Sequence, residues 1–294
     1  ERIQGVEIRN MRDFDAPRVP IIKHPDVKRM LLTMKARVEG MRALLYRAAY
    51  YADLSEAHPD EKVRDRTGKL LELLTPICKA YCSDTGFEMT VLALQTYGGY
   101  GYIREYPVEQ LMRDAKISSI YEGTNGIQAL DLIGRKIPKN NGEYYMLLMD
   151  EITKIIEANN AHPALAHLAQ CLQKDLDRVR TVTGRFAESG MKGDLDFPTS
   201  NATAYLNLLG NTLLGWLLLD QAAIAHDKLS EMLLERGVDS PEARDRLLAD
   251  NARARYYENK LKTAAFFIEN LLPENAGIAE CILDGNQEAL QVEL

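Results

Sequence analysis

Residues 93–128 read ALQTYGGYGYIREYPVEQLMRDAKISSIYEGTNGIQ, and this stretch decides the fold. It interrupts two long helical patterns, first with a cluster of glycines and then with Tyr-Glu-Gly-Thr at positions 121–124. Glu122 stands between two apolar runs, and Gly123 beside it permits backbone conformations that other residues avoid. The stretch therefore predicts a carboxylate at the joint between two helices.

The rest of the chain carries apolar residues at helical spacing almost throughout. Val27, Met30, Met34 and Met41, for example, recur on one helical face. Helices are predicted over residues 25–57, 62–96, 107–117, 124–137, 143–157, 163–188, 201–236 and 241–272, with a short tail helix or two after residue 273. The predicted fold class is all-α, in which helices joined by short loops pack antiparallel as bundles.

Composition excludes several classes of protein. The 294 residues carry a formal net charge of -7, and no basic cluster offsets it, which disfavours nucleic acid as a partner. The apolar run Leu213–Leu219 is too short to cross a bilayer, so no membrane span is predicted. The first residues are polar and charged, unlike a signal peptide. A cytoplasmic protein is therefore expected.

Cysteine and histidine spacing gives no metal site. Cys78 and Cys82 share one helical face, but no further pair follows at the spacing of a zinc finger. They are predicted to be buried free thiols, as in a reducing compartment. His162, His167 and His226 have no ligand partner at a convincing spacing and are expected in surface or capping roles.

The two interruptions each fit two interpretations when taken alone. Glycines at 98, 99 and 101 fit either the end of a helix or a backbone turn that a pyrophosphate approaches closely. Glu122 fits either a general base or a first-turn carboxylate that complements the dipole of the helix capped by Thr124.

Taken together, the same residues resemble the signature of the acyl-CoA dehydrogenase flavoenzyme family. Gln-x-x-Gly-Gly-x-Gly, Tyr-Pro-x-Glu-x-x-x-Arg-Asp-x-Lys-Ile and Ile-Tyr-Glu-Gly-Thr occur in family order and spacing. ERIQG at residues 1–5 is similar to the family's Glu-Arg-x-x-Phe-Gly, although it is one residue shorter and lacks the Phe. The resemblance covers about residues 1–139. The remainder loosely resembles the helical extension of larger members similar to methylthiopropionoyl-CoA dehydrogenase.

The resemblance implies an enzyme that oxidises an acyl-CoA thioester to its trans-2-enoyl form with FAD. Glu122 matches the glutamate that removes the α-proton in many members, while the β-hydrogen leaves as hydride. Tyr121 and Gly123 would line the thioester site. In this family the backbone N–H of the base commonly donates to the thioester oxygen, which explains a tight turn beside the carboxylate.

The resemblance also implies which residues hold FAD. Gln95, Gly98 and Gly99 match residues that hold the adenosine and pyrophosphate across a subunit interface. Arg2 matches an arginine that pairs with a cofactor phosphate, and Thr124 matches a hydroxyl contact to the cofactor.

Two domains are predicted, at the Pro/Lys/Asn/Gly linker 138–142. Residues 1–139 would form the C-terminal helical domain of the family without its first bundle helix, and residues 140–294 a helical extension. The chain is therefore expected to be the C-terminal part of a longer dehydrogenase and to be inactive alone. Acyl-CoA as substrate, an electron-transfer flavoprotein as acceptor, and a homodimer or tetramer are implied by the resemblance.

Two other functions compete with this one. A helical oligomerisation module could have kept the motif and lost catalysis, although a scaffold has no need for a base at position 122. A family member adapted to protect nucleic acid is disfavoured by the acidic charge.

Overall fold

The computed structural model describes residues 2–286 and 288–293. Its strands and helices are β1 (Ile3–Val6), β2 (Arg18–Pro20), α1 (Pro25–Ala57), α2 (Glu61–Tyr97), α3 (Val108–Lys116), α4 (Asn125–Asp131), α5 (Lys139–Asn159), α6 (Ala166–Met191), α7 (Asp196–Ser200), α8 (Ala202–Glu235), α9 (Pro241–Asp250), α10 (Ala252–Phe266), α11 (Glu274–Leu283) and α12 (Glu288–Gln291). Helices α4 and α10 each continue into a π-helical turn, at Leu132–Lys136 and Phe267–Leu271. The all-α prediction is confirmed.

Helices α1 and α2 form the hairpin on which the first half is built. Pro25 opens α1 at a position where a helix needs no N–H donor. Asp60 caps α2, because its side chain accepts a hydrogen bond of 2.9 Å from the Lys62 N–H. Helices α3 and α4 both pack against α2. The glycine cluster therefore lies at the end of α2, and the Glu122 joint lies beside the same helix.

Helix α8 occupies the centre of the fold. Its residues 205–219 are buried almost without interruption, and Tyr205 and Trp216 among them are fully buried. By length and hydropathy alone α8 could cross a membrane, but 78% of its apolar window is buried against other helices of this protein. Its neighbours include α1, α2, α4, α5, α6, α10 and α11. The apolar character of this stretch is explained by this position in the core.

Helices α1 and α8 run in the same direction, side by side. Arg37 of α1 contacts Asn211 of α8, and Arg47 contacts Asp220. Because the residue numbers increase together on both helices, the two helices are parallel. At Gly40 the two backbones approach closely, since a Cβ atom there would lie 2.6 Å from Leu214 Cγ. The first half of the chain therefore packs directly on a helix of the second half.

A chain of buried polar side chains crosses this contact. Arg37 Nη1 donates to Tyr81 Oη at 2.6 Å and to Asn211 Oδ1 at 2.5 Å. Asn211 donates to Asn275 Oδ1 at 2.8 Å, and Asn275 donates to Asp175 Oδ2 at 2.9 Å. Burial raises the pKa of Asp175 above its ordinary value. Because unpaired polar groups are costly in the interior, this network fixes how α1, α2, α6, α8 and α11 fit together.

The predicted division at residues 139 and 140 stays a prediction. At that point Asn140, Asn141 and Gly142 have φ angles of 51°, 57° and 83°, so the expected linker is a tight left-handed turn between the π-helical turn and the body of α5. Buried apolar residues from both sides of the turn belong to one cluster. The two parts share a core.

The predicted elements differ from the structure in several places, and α7, for example, lies where no helix was predicted. The expected single helix over residues 241–272 is interrupted at Asn251, whose backbone is extended and whose side chain caps α10 by accepting from the N–H groups of Arg253 and Ala254. The antiparallel hairpin of β1 and β2 was not expected. The bond of 2.8 Å from the Ile21 N–H to the Arg2 carbonyl continues its ladder, and Arg2 ties it to the end of α2 by donating to the Tyr97 carbonyl.

Candidate functional site

The glycine turn at the end of α2 forms one part of the candidate site. Gly98 has φ +62°, a conformation that side chains with a Cβ rarely adopt. Arg2 lies against it: its Nη1 donates to the Tyr97 carbonyl at 2.6 Å, and a Cβ on Gly98 would lie 3.0 Å from that nitrogen. The β1–β2 hairpin thus carries a cation to a turn far away in sequence.

Four of the five predicted cofactor residues line one cavity of about 500 Å³. They are Arg2, Gln95, Gly98 and Gly99. Thr124, the fifth, is not part of the lining. The structure therefore brings together the residues that were predicted to hold the adenosine and pyrophosphate of FAD. Thr124 lies instead beside Glu122, in the turn before α4.

The cavity also contains a residue that sequence reasoning missed. His24 lines it, and His24 Nε2 lies 2.7 Å from the Gln4 carbonyl oxygen. In the sequence His24 is only the residue before the helix-opening Pro25, and its role emerges because the hairpin folds over it. The available signal was a histidine directly before a helix-opening proline.

The Glu122 joint forms the other part of the site. Glu122 has φ +55° and Gly123 has φ +84°, so two successive residues adopt left-handed backbone. For a residue with a Cβ this conformation costs about 1–2 kcal/mol, and such strain is often found at functional sites. Tyr121, Glu122, Gly123 and Thr124 are all exposed. The carboxylate is therefore presented outward from a strained turn.

Thr124 takes the N-cap position of α4, as predicted, but without the expected side-chain bond. The Thr124 hydroxyl makes no capping hydrogen bond, so it remains available to a ligand. Among the described residues, the Glu122 N–H donates to no backbone carbonyl. One turn thus presents a carboxylate, a hydroxyl and a backbone donor together.

Apolar side chains surround both parts of the site and are exposed. Around the glycine turn these are Tyr97, Tyr100, Tyr102, Ile103 and Tyr106, and around the joint they are Ile117, Ile120, Tyr121, Ile127 and Leu130. Exposed apolar side chains in this number are typical of a face that another protein segment or a ligand covers.

A histidine cluster lies elsewhere, and it corrects one expectation. His162 and His226 were expected in surface or capping roles, without a ligand partner at a convincing spacing, but their ring centroids are 4.4 Å apart and Asp227 adjoins them. The Ala164 N–H donates to His162 Nδ1 at 3.2 Å, so the proton of the neutral ring sits on Nε2. His162, His226 and Asp227 each offer one ligand atom, and these three atoms lie within 4.8 Å of one another.

A cysteine on α6 also lies close to a histidine. His167 Nε2 is 3.8 Å from Cys171 Sγ and 3.7 Å from Glu269 Oε1. A catalytic base contacts its nucleophile and its orienting carboxylate through different ring nitrogens, whereas here one nitrogen faces both. Cys78 and Cys82 are free thiols packed against the core, and burial raises the pKa of each to about 12. No nucleophilic site is assigned to these cysteines.

Two family models match the chain in succession. Residues 7–137 match "Acyl-CoA dehydrogenase, C-terminal domain", and residues 148–293 match "Acetyl-CoA dehydrogenase C-terminal like". The chain belongs to the acyl-CoA dehydrogenase family. Within that family it corresponds to the C-terminal region, and the resemblance inferred from residues 93–128 is confirmed.

Relatives in this family match nearly the whole chain. The broad-specificity linear acyl-CoA dehydrogenase FadE5 of Mycobacterium tuberculosis is 31% identical over 99% of this chain and 46% of its own length. The 3-methylmercaptopropionyl-CoA dehydrogenase of Ruegeria pomeroyi is 33% identical over 94% of this chain and 44% of its own length. The chain thus spans about half the length of the curated relatives it matches.

Solved acyl-CoA dehydrogenase structures share the fold. Caenorhabditis elegans ACDH-11 in complex with C11-CoA superposes with a TM-score of 0.65 at 20% identity, over 84% of this chain and 36% of that one. The Bacillus anthracis acyl-CoA dehydrogenase complexed with FAD gives 0.59 at 18% identity, over 93% and 45%. At these identities the likeness shows the fold alone.

The cavity fits part of a dinucleotide such as FAD. A pyrophosphate needs a cation and close approach to backbone, and here Arg2 provides the cation while Gly98 and Gly99 provide backbone without side chains. A Cβ added to Gly99 would meet no atom within 4 Å, so the space beside it is open. The described residues therefore suit the phosphate end of the cofactor and would not enclose all of it.

Proposed function

We propose that this chain is the C-terminal part of an FAD-dependent acyl-CoA dehydrogenase, in which Glu122 is the base. The observation that carries the proposal is the strained Glu122–Gly123 turn, which presents a carboxylate outward at the position of the family's Tyr-Glu-Gly-Thr motif. A structural carboxylate at a helix start does not require left-handed backbone. Such strain is consistent with a residue held for chemistry.

The substrate would be an acyl-CoA thioester, converted to its trans-2-enoyl form. The α-proton of a thioester is too weakly acidic for a carboxylate alone, so the negative charge that develops on the thioester oxygen must be stabilised. The Glu122 N–H can donate to that oxygen, and the Glu122 carboxylate accepts the α-proton. Tyr121 and Gly123 would line the thioester. When bound, FAD accepts the hydride that leaves the β-carbon.

Arg2, His24, Gln95, Gly98 and Gly99 would bind the adenosine and pyrophosphate of FAD from their shared cavity. Thr124 would contact the cofactor at the Glu122 joint. The electrons would pass to an electron-transfer flavoprotein, and a homodimer or tetramer would complete each site across a subunit interface. The enzyme is expected in the cytoplasm.

The exposed apolar surfaces support a larger assembly. Val38, Leu45, Tyr46 and Tyr50 form an exposed stripe on α1, in addition to the aromatic residues near the site. Coverage of this stripe by the bundle helix that the family places before residue 1 would account for it. We therefore expect residues 1–294 alone to bind FAD weakly and to show no turnover.

The test is Glu122→Gln in the longer enzyme of which this chain is proposed to be the C-terminal part. Anaerobic mixing with a series of acyl-CoAs should bleach the flavin absorbance of the unmodified enzyme. The variant should keep FAD bound and lose this bleaching, since the amide cannot take the proton. Glu105→Gln, a neighbouring carboxylate outside the turn, serves as the control.

Three results would count against the proposal. Bleaching that persists in Glu122→Gln would place the base elsewhere. Turnover by residues 1–294 alone would contradict the dependence on further domains. An enzyme that binds neither FAD nor acyl-CoA and yet assembles into a stable oligomer would favour the alternative, a non-catalytic oligomerisation module.

A further inference from the structure

Lys79 lies beside the Glu122 turn although it belongs to the middle of α2. Its Nζ donates to the Gly123 carbonyl oxygen at 2.6 Å and to Asn125 Oδ1 at 2.8 Å. The side chain is half-buried, so water competes only partly for the ammonium group. Charge-assisted hydrogen bonds of this length are about twice as strong as neutral ones.

The position of this cation is unusual. The first residues of α4 carry the positive end of the helix dipole, where a carboxylate is favourable and an ammonium group is not. The contacts of Lys79 must therefore stabilise something other than the helix itself. The group that it binds is the carbonyl of Gly123, the second left-handed residue of the turn. Holding this carbonyl favours the strained backbone over a relaxed one.

Asn125 completes the attachment of the turn to α2. It is buried, its Nδ2 donates to the Ala80 carbonyl at 3.1 Å and to Ser83 Oγ at 2.8 Å, and its Oδ1 accepts from Lys79. Three contacts from residues 79–83 of one helix therefore hold the residues just after Glu122. Their common effect is to fix the backbone of the turn against a rigid element.

We propose that Lys79 is a positioning residue, which holds the Glu122–Gly123 turn in its left-handed form by binding the Gly123 carbonyl. The inference rests on the proposed function, in which Glu122 is the base, and extends it to the residue that aims the base. Lys79 acts through the backbone and does not touch the reacting atoms. A misplacement of about 1 Å in a catalytic group can cost about 10²-fold in rate.

The first measurement needs no catalysis. Amide hydrogen exchange of the peptide that contains residues 120–126 is followed by mass spectrometry in the chain and in Lys79→Met. Met keeps the apolar stem and removes the donor, so exchange in this peptide should become faster. Lys69→Met is the matched control, since Lys69 lies on the same helix and, within residues 2–286 and 288–293, pairs with Asp65 and Glu143 alone. It should leave this peptide unchanged.

The second measurement is the rate of flavin reduction by acyl-CoA in the longer enzyme. Lys79→Met should lower this rate about 10²-fold, while FAD content and the Kd for a non-reacting acyl-CoA analogue change little. Lys79→Arg, which keeps a cationic donor, should recover most of the rate. A merely structural lysine would lower thermal stability and leave the rate of the folded fraction unchanged.

The outcomes separate this inference from the proposed function. Unchanged exchange in Lys79→Met overturns the positioning role whatever Glu122 does. Faster exchange with an unchanged reduction rate also overturns it, provided that Glu122→Gln abolishes reduction. Reduction that survives Glu122→Gln contradicts the proposed function instead. Lys79→Gln also removes the cationic donor and is measured in parallel. If one of the two variants fails to fold, the other still tests the positioning role.

Discussion

The ring of Tyr81 occupies the space that a side chain on Gly210 would fill. A Cβ atom built on Gly210 would lie 2.2 Å from Tyr81 Cδ2, far inside contact distance. The ring cannot move aside easily, because Tyr81 is buried and its hydroxyl bonds Arg37 and Asn211. A glycine in the second half of the chain therefore sets how closely α8 approaches α2.

Gly210→Ala should destabilise the protein by about 2 kcal/mol, the usual cost of forcing an extra carbon into a packed core. The measurement is urea unfolding followed by circular dichroism. Gly184→Ala is the matched control. Gly184 lies on the exposed face of α6, away from the ends of the helix, and an added Cβ there would have no atom within 4 Å. Gly184→Ala should stabilise by about 0.5–1 kcal/mol. Equal effects of both substitutions would refute the close packing.

Glu72 should contribute stability that depends on pH. Lys136 and Lys139 both lie 2.8 Å from its carboxylate, and their hydrogen bonds lower its pKa to about 2. Since this pKa is below the unfolded value, the contribution is fully present above about pH 4.5 and is lost as the pH falls toward 2. Partial exposure limits it to about 1 kcal/mol.

Glu72→Gln should therefore lower the free energy of unfolding at pH 7 and converge with the unmodified protein near pH 2. Urea unfolding at intervals between pH 2 and pH 7 measures the difference. Glu56→Gln, which removes the charge of an exposed carboxylate near the end of α1, is the matched control. If the effect of Glu72→Gln on the free energy of unfolding did not change with pH, the ion pairs of Glu72 would not be its cause.

The four cysteines should react at different rates. Burial raises the pKa of Cys78 and of Cys82 to about 12, so at pH 8 both stay protonated and shielded. Cys281 is exposed. Maleimide labelling of the native protein, mapped by mass spectrometry, should modify Cys281 first and reach Cys78 and Cys82 only in denaturant. Rapid native labelling of Cys78 would contradict the packing around α2.

Much of the architecture could be predicted, because helix periodicity is a local signal. The ends of α1 and α2 agree with the expected ones within a residue, since Pro25, Asp60 and the glycines at 98 and 99 act on their own neighbours. The break at Asn251 was missed, because an N-cap inside a periodic pattern resembles an ordinary polar helix residue. The β1–β2 hairpin was missed because its strands are too short to show alternation.

The candidate site was predictable in part for the same reason. Glu122 and Gly123 are adjacent, so their turn is visible in the sequence. Lys79 lies 44 residues before Gly123, and nothing local marks it as a partner of the turn. The histidine pair and the network from Arg37 to Asp175 likewise consist of contacts between distant elements. Such contacts depend on how distant helices pack, and this cannot be predicted from the local pattern of a single sequence.

The parallel pairing of α1 with α8 has a consequence during synthesis. Arg37 meets its partner Asn211 only 174 residues later. At about 5–20 residues per second, a ribosome takes about 9–35 s to make the intervening chain. During that interval the faces of α1 and α2 that α8 covers are exposed to the cell. The nascent chain therefore carries unburied apolar surface until α8 has been made, and slow codons before residue 202 would lengthen that interval.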